Sequence, residues 1–231
     1  MPTCYIFGAG DYGGMPCPAP DWDGFVIAAD GGCAKLAQWG LRPQLAVGDF
    51  DSLGRVPADV PVQQFPAEKD DSDMMLAVRA GLAHGCTRFL LYGGLGGRLD
   101  HTIANLHILD ALARQDCAAF LLGADTVLTA VNCGVLRFSA RHTGILSLFA
   151  WGGTATGVTL RGLRYPLTDG TLCCDRPIGL SNEFLGQEAA VCVQNGTLLA
   201  LWTPPTDDPA AICPTHFFAR ETVADDRERE G

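Results

Sequence analysis

Short apolar runs alternate with helix-type patterns along the first half of the chain. The runs with strand character cover residues 4–7, 25–29, 45–47 and 89–92. Each is followed by a turn rich in glycine or aspartate, as is usual at the end of a strand. This alternation predicts a parallel β-sheet covered by helices, and therefore an α/β domain.

Three helices are predicted between these strands. Gly40 and Gly85 mark the ends of two of them, because glycine readily adopts the left-handed conformation that closes a helix, and a Schellman motif is expected at Gly40. The third helix is expected over residues 98–114. Its apolar stripe would be formed by Leu99, Ile103, Leu106 and Leu109.

The second half of the chain changes to short β-type runs separated by turns. Asn195-Gly196, flanked by alternating apolar residues, predicts a hairpin. The second half is therefore expected to be all-β and antiparallel. The change falls within residues 123–133, so we predict domains at residues 1–128 and 129–220 and a charged tail at 221–231.

The composition is that of an ordinary globular protein, with 231 residues, 48% of them hydrophobic and 18% charged. The net charge of −10 argues against a nucleic-acid partner, because nucleic-acid-binding proteins usually carry a basic face. No apolar stretch approaches the roughly 18 residues of a membrane span, and the first residues lack the features of a signal peptide. We therefore expect no membrane partner and a cytoplasmic location.

The ten cysteines are scattered and form no Cys-x-x-Cys pair. This distribution favours reduced core thiols over a metal site or a disulfide framework. The adjacent Cys173 and Cys174 are also expected to be free thiols, because a disulfide between neighbouring residues is strained.

Acidic residues follow several of the predicted strands. Asp49 and Asp51 are one residue apart, and two carboxylates about 4 Å apart repel by roughly 4 kcal/mol at an effective dielectric constant near 20. Such a pair either points into water, as in a surface turn, or holds a cation. Asp30 and Asp100 follow two other strands, and the carboxyl ends of parallel strands converge on one crevice. A metal site is therefore the favoured interpretation of the pair.

Another acid, Asp73, comes at the start of a predicted helix, after Ser72 as a candidate N-cap. A charge that favours the helix start explains Asp73 as well as a ligand role does.

A glycine-rich segment, GGLGGR at residues 93–98, leaves one strand and enters a helix. Glycines allow backbone N–H groups to approach a phosphate, and Arg98 can bind two phosphate oxygens. Beside the carboxylates, this segment predicts a nucleotide phosphate bound with Mg²⁺. An NAD site at GAGDYG, residues 8–13, is the alternative, but Pro16, Pro18 and Pro20 disfavour the helix that such a motif requires.

Five motifs, in this order, resemble those of the thiamine pyrophosphokinase family. They are ADGG at 29–32, GDFDS at 48–52, EKDDSD at 68–73, GGLGGRLDH at 93–101 and SNEF at 181–184. The order and spacing of GDFDS and GGLGGRLDH are specific, whereas SNEF alone is weak. The third motif carries an additional acid, Asp71, beside the family pattern K-D-x-[TS]-D, which leaves Asp70, Asp71 and Asp73 as alternative metal ligands.

The resemblance implies transfer of a diphosphoryl group from ATP to the hydroxyethyl oxygen of thiamine, giving thiamine diphosphate and AMP. It implies Mg²⁺, ATP as co-substrate, and a homodimer whose site is shared between chains. The implied fold is an α/β N-terminal domain with a parallel, Rossmann-like sheet, followed by an all-β antiparallel sandwich that binds thiamine and dimerises.

The resemblance also implies roles for individual residues. The metal and catalytic acids would be Asp49, Asp51, Asp73 and Asp100, with Arg98 as a catalytic cation. ATP would be bound by Asp30, Gly31, Gly32, Lys69, Gly93, Gly94, Gly96, Gly97 and His101, and thiamine by Ser181 and Asn182. His101 is equally well explained as a helix-packing residue. Two other functions stay open: a diphosphokinase for another alcohol, such as a hydroxymethylpterin, and a nucleotide-binding protein without catalysis.

Overall fold

The structure is a computed structural model that describes residues 2–12, 24–51, 54, 56–204 and 213–218. The predicted tail at 221–231 lies outside these residues, as do the prolines after the first glycine motif. The chain divides into two compact units. One comprises Met1–Ile108 with Cys117–Ala124, and the other Leu109–Asp116 with Asp125–Gly231.

A parallel sheet forms the centre of the first unit, as predicted. Its strands are β1 (Thr3–Phe7), β2 (Phe25–Ala29), β3 (Leu45–Gly48), β4 (Val62–Gln64), β5 (Arg88–Tyr92) and β6 (Ala118–Leu122). They lie in the order β4-β3-β2-β1-β5-β6, and every pairing is parallel. Strands β4 and β6 were not predicted from the sequence. The side chains of Ile6, Ile27 and Phe89 are fully buried at the centre of this sheet.

Three helices accompany these strands: α1 (Gly32–Gln38), α2 (Asp73–Ala83) and α3 (Leu99–Ala113). The predicted Schellman motif closes α1, because the N–H of Leu41 donates to the carbonyl oxygen of Leu36 at 2.9 Å and Gly40 has a φ of 69°. The predicted N-cap of α2 is also confirmed. The Oγ of Ser72 accepts a hydrogen bond from the N–H of Met75 at 3.2 Å.

The predicted apolar stripe of α3 is wrong in its first half. Leu99 is 72% exposed and Ile103 is 45% exposed, whereas Leu109 is fully buried. The buried face consists of Asn105, Ile108, Leu109, Leu112 and Ala113. The predicted and the observed buried residues both follow helical spacing, so spacing does not distinguish them. The observed face includes the polar Asn105, which a choice by hydropathy alone leaves out.

The second unit contains antiparallel strands, as predicted. They are β7 (Val127–Asn132), β8 (Gly134–Phe138), β9 (Ile145–Arg161), β10 (Leu167–Cys173), β11 (Asn182–Glu183), β12 (Ala189–Cys192), β13 (Asn195–Trp202) and β14 (Thr215–Phe218). The order along the main path is β14-β8-β12-β9-β13-β7. Strand β9 is 17 residues long and pairs with β10, β11, β12 and β13.

The predicted hairpin at Asn195-Gly196 is wrong. Both residues lie inside β13, which pairs with β7 and β9, whereas β12 pairs with β8 and β9. A side chain on Gly196 would place its Cβ 2.6 Å from the carbonyl oxygen of Thr154. The glycine therefore allows β13 to approach β9 closely, which a pattern search does not distinguish from a tight turn.

Neither Cys173 nor Cys174 forms a disulfide, as predicted. Within the described ranges, no helix combines the length and the apolar character needed to cross a membrane.

Candidate active site

Two glycine segments meet where the strand order of the first unit reverses. Strands β1 and β5 are neighbours, but the chain continues from β1 to β2 on one side and from β5 to β6 on the other. The N–H of Gly8 donates to the carbonyl oxygen of Tyr92 at 2.8 Å, and the N–H of Gly10 donates to that of Gly93 at 3.0 Å. Ligands of open parallel sheets bind at such a reversal, outside the carboxyl ends of the strands.

A pocket of about 560 Å³ lies at these strand ends, a size typical of small-molecule sites. It is lined by Gly8, Ala9, Gly10, Ala29, Asp30, Ser72, Asp73, Met74, Gly93, Gly94, Gly96, Gly97, Arg98, Asp100, His101, Ala104 and Asn105. Most of the residues predicted to bind ATP are therefore brought together. Gly31, Gly32 and Lys69 are not part of the lining, and Gly32 has a packing role, because its Cβ would meet the carbonyl oxygen of Phe7.

The backbone of the glycine segment is held in conformations that other residues rarely adopt. Gly93, Gly96 and Gly97 have φ values of 64°, 76° and 67°. The carbonyl oxygen of Gly94 accepts a hydrogen bond at 2.8 Å from Nδ2 of Asn105, a buried residue of α3. The amide of Asn105 thus fixes the path of the segment around the pocket.

Sequence reasoning missed Asn105 and the residues at 8–10 as parts of the site. Gly8 and Gly10 were considered only within an NAD motif. The available signal for Asn105 was a single amide on a helix face that is otherwise apolar. The signal for residues 8–10 was the glycine spacing after β1, but their nearness to residues 93–97 depends on a strand order that the sequence does not reveal.

Three carboxylates gather beside the pocket. Asp30, Asp49 and Asp51 each place one oxygen within 4.8 Å of the other two, and Asp30 also lines the pocket. Gly48 permits this approach, because a Cβ at that position would lie 3.1 Å from the Cα of Asp30. We call Asp30, Asp49 and Asp51 the carboxylate cluster.

The two aspartates of GDFDS come together through a turn. Strand β3 ends at Gly48, and the buried Phe50 has a φ of 62°. The N–H of Asp51 donates to Oδ1 of Asp49 at 3.2 Å. The turn at Phe50, a residue in a strained backbone conformation, therefore brings these side chains together, and such strain is common at functional sites.

Lys69 bridges the cluster to the helix α2. Its Nζ lies 3.0 Å from Oδ2 of Asp49 and 2.8 Å from Oδ1 of Asp73. The pKa of Asp49 is lowered by the hydrogen bond from the N–H of Asp51 and by that from Lys69. Burial acts to lower the pKa of Lys69, but its bonds to Asp73 and Asp49 outweigh burial and raise it. Asp49 and Lys69 are therefore both charged at neutral pH.

Arg98 and Asp100 form an ion pair at the rim of the pocket. The guanidinium of Arg98 lies 2.6 Å from Oδ2 of Asp100, and the two side chains are 73% and 63% exposed. The hydrogen bond from Arg98 lowers the pKa of Asp100. Exposed pairs contribute little free energy, so Arg98 can exchange Asp100 for another anion at low cost.

The four acids that were predicted to bind metal have different surroundings. Asp49 and Asp51 belong to the carboxylate cluster, Asp73 shares the ammonium group of Lys69 with Asp49, and Asp100 is paired with Arg98. Asp30, which was predicted to contact ATP, joins the cluster. The metal-ligand roles of all four predicted acids stay predictions.

Two family models match most of the chain. The model "Thiamin pyrophosphokinase, catalytic domain" matches residues 19–121, and "Thiamin pyrophosphokinase, vitamin B1 binding domain" matches residues 135–198. The chain belongs to the thiamine pyrophosphokinase family. The resemblance seen in the five motifs is confirmed.

Other thiamine pyrophosphokinases are similar over most of their length. The protein of that name from Bacillus subtilis (strain 168) is 24% identical over 202 residues, in an alignment that covers 82% of this chain and 94% of that protein. The crystal structure of the Geobacillus thermodenitrificans thiamin pyrophosphokinase is 28% identical with a TM-score of 0.74, covering 89% of this chain and 99% of that one. The structure of the thiamin pyrophosphokinase from Candida albicans is 14% identical with a TM-score of 0.70, covering 87% of this chain and 89% of that one. At this identity the match shows a similar fold.

The residues matched by the vitamin B1 binding model of thiamine pyrophosphokinases include Ser181 and Asn182. Asn182 is buried, and its Oδ1 accepts hydrogen bonds from the N–H groups of Tyr165 at 3.0 Å and Glu183 at 2.9 Å. Its Nδ2 donates to the carbonyl oxygen of Tyr165 at 2.8 Å. Ser181 is exposed, and its N–H donates to Oγ of Ser147 at 3.1 Å. The amide of Asn182 therefore holds the backbone around Tyr165.

Proposed function

We propose that this chain transfers the diphosphoryl group of ATP to thiamine. The hydroxyethyl oxygen of thiamine attacks the β-phosphorus and loses its proton. The bond from the β-phosphorus to the oxygen that bridges to the α-phosphorus breaks, and AMP leaves with that oxygen. The observation that carries the proposal is the carboxylate cluster beside a glycine-lined pocket in a member of this family.

The residues of the cluster fit a magnesium ion. Mg²⁺ prefers oxygen ligands and is usually held by a few carboxylates together with phosphate oxygens, and the cluster offers three carboxylates within reach of one ion. When bound, Mg²⁺ would neutralise charge on the transferring phosphates. We assign its binding to Asp30, Asp49 and Asp51, with Asp73 and Asp100 as further acids at the pocket wall.

The chain's own groups position the nucleotide. Gly93, Gly94, Gly96 and Gly97 present backbone without side chains to the pocket, which suits close approach of phosphates. Arg98 and His101 lie at the same wall and supply positive or donor groups. Phosphoryl transfer depends mainly on positioning and charge neutralisation, which this arrangement provides.

We further infer that the second unit is a sandwich-type domain that binds thiamine and forms a homodimer with sites shared between two chains, in the cytoplasm. Thiamine binding is supported by the SNEF motif and the vitamin B1 binding model over residues 135–198, and the sandwich by the antiparallel strands. The homodimer and its shared sites rest on the family resemblance, and the location on the sequence. We assign direct contact with thiamine to the exposed Ser181. Asn182 contributes by holding the adjacent backbone, because its amide is already engaged.

The test is a product analysis. The protein is incubated with Mg²⁺, ATP and either thiamine or a hydroxymethylpterin, and nucleotides and diphosphate esters are separated by chromatography. We expect AMP and thiamine diphosphate in equal amounts, with no turnover of the pterin. ADP as the product, or turnover of the pterin alone, would replace the proposal by another kinase activity. Binding of ATP without any AMP would make the chain a nucleotide-binding protein.

A further inference from the structure

The ammonium group of Lys69 occupies one oxygen of a metal-binding carboxylate. Its Nζ is 3.0 Å from Oδ2 of Asp49, while Oδ1 of Asp49 accepts the N–H of Asp51 at 3.2 Å. Both oxygens of Asp49 are thus engaged within the protein. The side chain of Lys69 is 13% exposed and that of Asp49 is 16% exposed, so water screens this pair only partly.

Lys69 also compensates the charge of the whole acidic group. The cluster of Asp30, Asp49 and Asp51 together with Asp73 carries four negative charges when ionised, and Lys69 contacts two of these four residues. Its positive charge reduces the mutual repulsion of the carboxylates. The same charge repels a divalent cation that approaches Asp49, because the two cations would share one carboxylate.

We propose that Lys69 is a resident counter-cation of the carboxylate cluster, which competes with the metal and weakens metal binding while no nucleotide is bound. This inference rests on the metal site assigned in the proposed function. Lys69 does not line the pocket, but its partner Asp73 does, so phosphate oxygens that arrive there with ATP offer Lys69 another anionic partner. Metal and nucleotide therefore bind together more readily than metal alone, which is a positive coupling between two ligands.

If Lys69 supported metal binding instead, its removal would change the metal affinity in the opposite direction. If Lys69 served to hold Asp49 in the geometry that the metal needs, its removal would weaken metal binding. A competing cation, in contrast, leaves a better metal site when it is removed. The affinity of the nucleotide-free protein for a divalent cation therefore separates the two roles.

The experiment measures Mn²⁺ binding to the nucleotide-free protein by electron paramagnetic resonance. We expect Lys69→Met and Lys69→Gln to tighten Mn²⁺ binding about tenfold, the order expected when one unit charge close to the ion is removed. Lys69→Arg keeps the charge and should bind Mn²⁺ as the unaltered chain does. Arg79→Met is the matched control, because Arg79 pairs with Asp71 and its loss also removes one positive charge.

Three results would overturn the proposal. The first is that Lys69→Met and Lys69→Gln both bind Mn²⁺ no more tightly than the unaltered chain does. The same conclusion follows if none of the three chains binds Mn²⁺. The second is equal tightening in Arg79→Met, which would show a general charge effect. The third is Mn²⁺ binding that survives Asp49→Asn, which would place the metal elsewhere. The product analysis of the unaltered chain tests the proposed function separately, since AMP formation does not depend on the sign of the Lys69 effect.

Discussion

At the scale of single residues, Asp49 and Asp51 are two carboxylates that repel each other and that we assign to metal binding. They are held together by a turn in which Phe50 has an unfavourable backbone conformation, which costs on the order of 1 kcal/mol. Natural chains retain such strain where the arrangement of side chains matters. Here the arrangement brings two carboxylates next to Asp30.

The double variant Asp49→Asn with Asp51→Asn tests that role. It keeps the side-chain shapes and removes two negative charges, so we expect kcat/KM for thiamine to fall at least about 100-fold. The free energy of unfolding should change by less than about 1 kcal/mol, because relief of the repulsion between the two carboxylates offsets the loss of the ion pair between Asp49 and Lys69. Steady-state kinetics and thermal unfolding measure the two quantities. Near-normal turnover would show that the pair does not bind the metal.

Asn105 gives a second test at this scale. In Asn105→Leu the buried carbonyl oxygen of Gly94 loses its partner, which costs about 1–3 kcal/mol of stability. The glycine segment also loses its anchor, so we expect KM for ATP to rise several-fold while KM for thiamine changes little. Ile108→Val, a truncation on the same buried face of α3, is a control for packing loss alone. An equal rise in both variants would contradict a role of the amide in holding the segment.

Single residues also show the limits of inference from sequence. The acids and glycines of the site were predicted because their residue types and spacing suit metal and phosphate. The sequence predicted that Asp30 shares a crevice with Asp49 and Asp51. It did not predict that their oxygens come within 4.8 Å of one another, since this depends on the close approach of two strand ends at Gly48. The pairing of Lys69 with Asp49 and Asp73 was not predicted either, because long side chains choose partners only in three dimensions.

At the scale of packed elements, the second unit contains a histidine, His142, that is buried among aromatic rings. His142 is 2% exposed and follows β8, and its ring lies 5.0 Å from that of Phe138 and 5.4 Å from that of Phe184. Its Nδ1 lies 3.2 Å from the carbonyl oxygen of Ser139, and its buried Nε2 has no hydrogen-bond partner among the described residues. Burial lowers the pKa of His142, although the bond to Ser139 opposes this.

Acid should therefore destabilise the chain through His142. Below about pH 6.5 the unfolded chain binds a proton at this residue, whereas the folded chain with its lowered pKa does not. The contribution of neutral His142 to the free energy of unfolding is fully present above pH 6.5. It is lost as the pH falls toward the pKa of His142 in the folded chain, at no more than about 1.4 kcal/mol per pH unit. Urea unfolding between pH 7.5 and 5 measures it. His142→Phe should show a shallower loss, and parallel pH profiles for both chains would show that His142 does not contribute.

The sequence predicted some helix and strand boundaries correctly and others wrongly. The end of α1 and the start of α2 were predicted correctly, because caps depend on a few adjacent residues. The exposed face of α3 and the turn at Asn195-Gly196 were predicted wrongly, because both depend on neighbours far away in the sequence. Strand β4 has only three residues, two of them polar, and gives no apolar signal.

For the whole molecule, the proposed sharing of the site between chains can be tested by mixing two inactive variants. Asp49→Asn damages the cluster, and Ser181→Arg places a cation where thiamine, itself cationic, would bind. If sites are shared, each mixed dimer has one site with both lesions and one intact site. With equal amounts and full exchange, half of the dimers are mixed, so activity should return to about a quarter of the unaltered value. No return, with exchange shown by differently tagged chains, would place each site within one chain.

Strand β9 has a consequence for how the second unit is made. One edge of it pairs with β13, which lies beyond β10, β11 and β12 in the chain, and β7 pairs with β13 as well. During synthesis β9 can pair with β10 early, but the edges of β9 and β7 that β13 covers stay unpaired until Trp202 has left the ribosome. Their closure spans a long stretch of chain, and such non-local pairing is slow. Newly made β9 therefore exposes a long strand edge, and the second unit is where aggregation of this protein would begin at elevated expression.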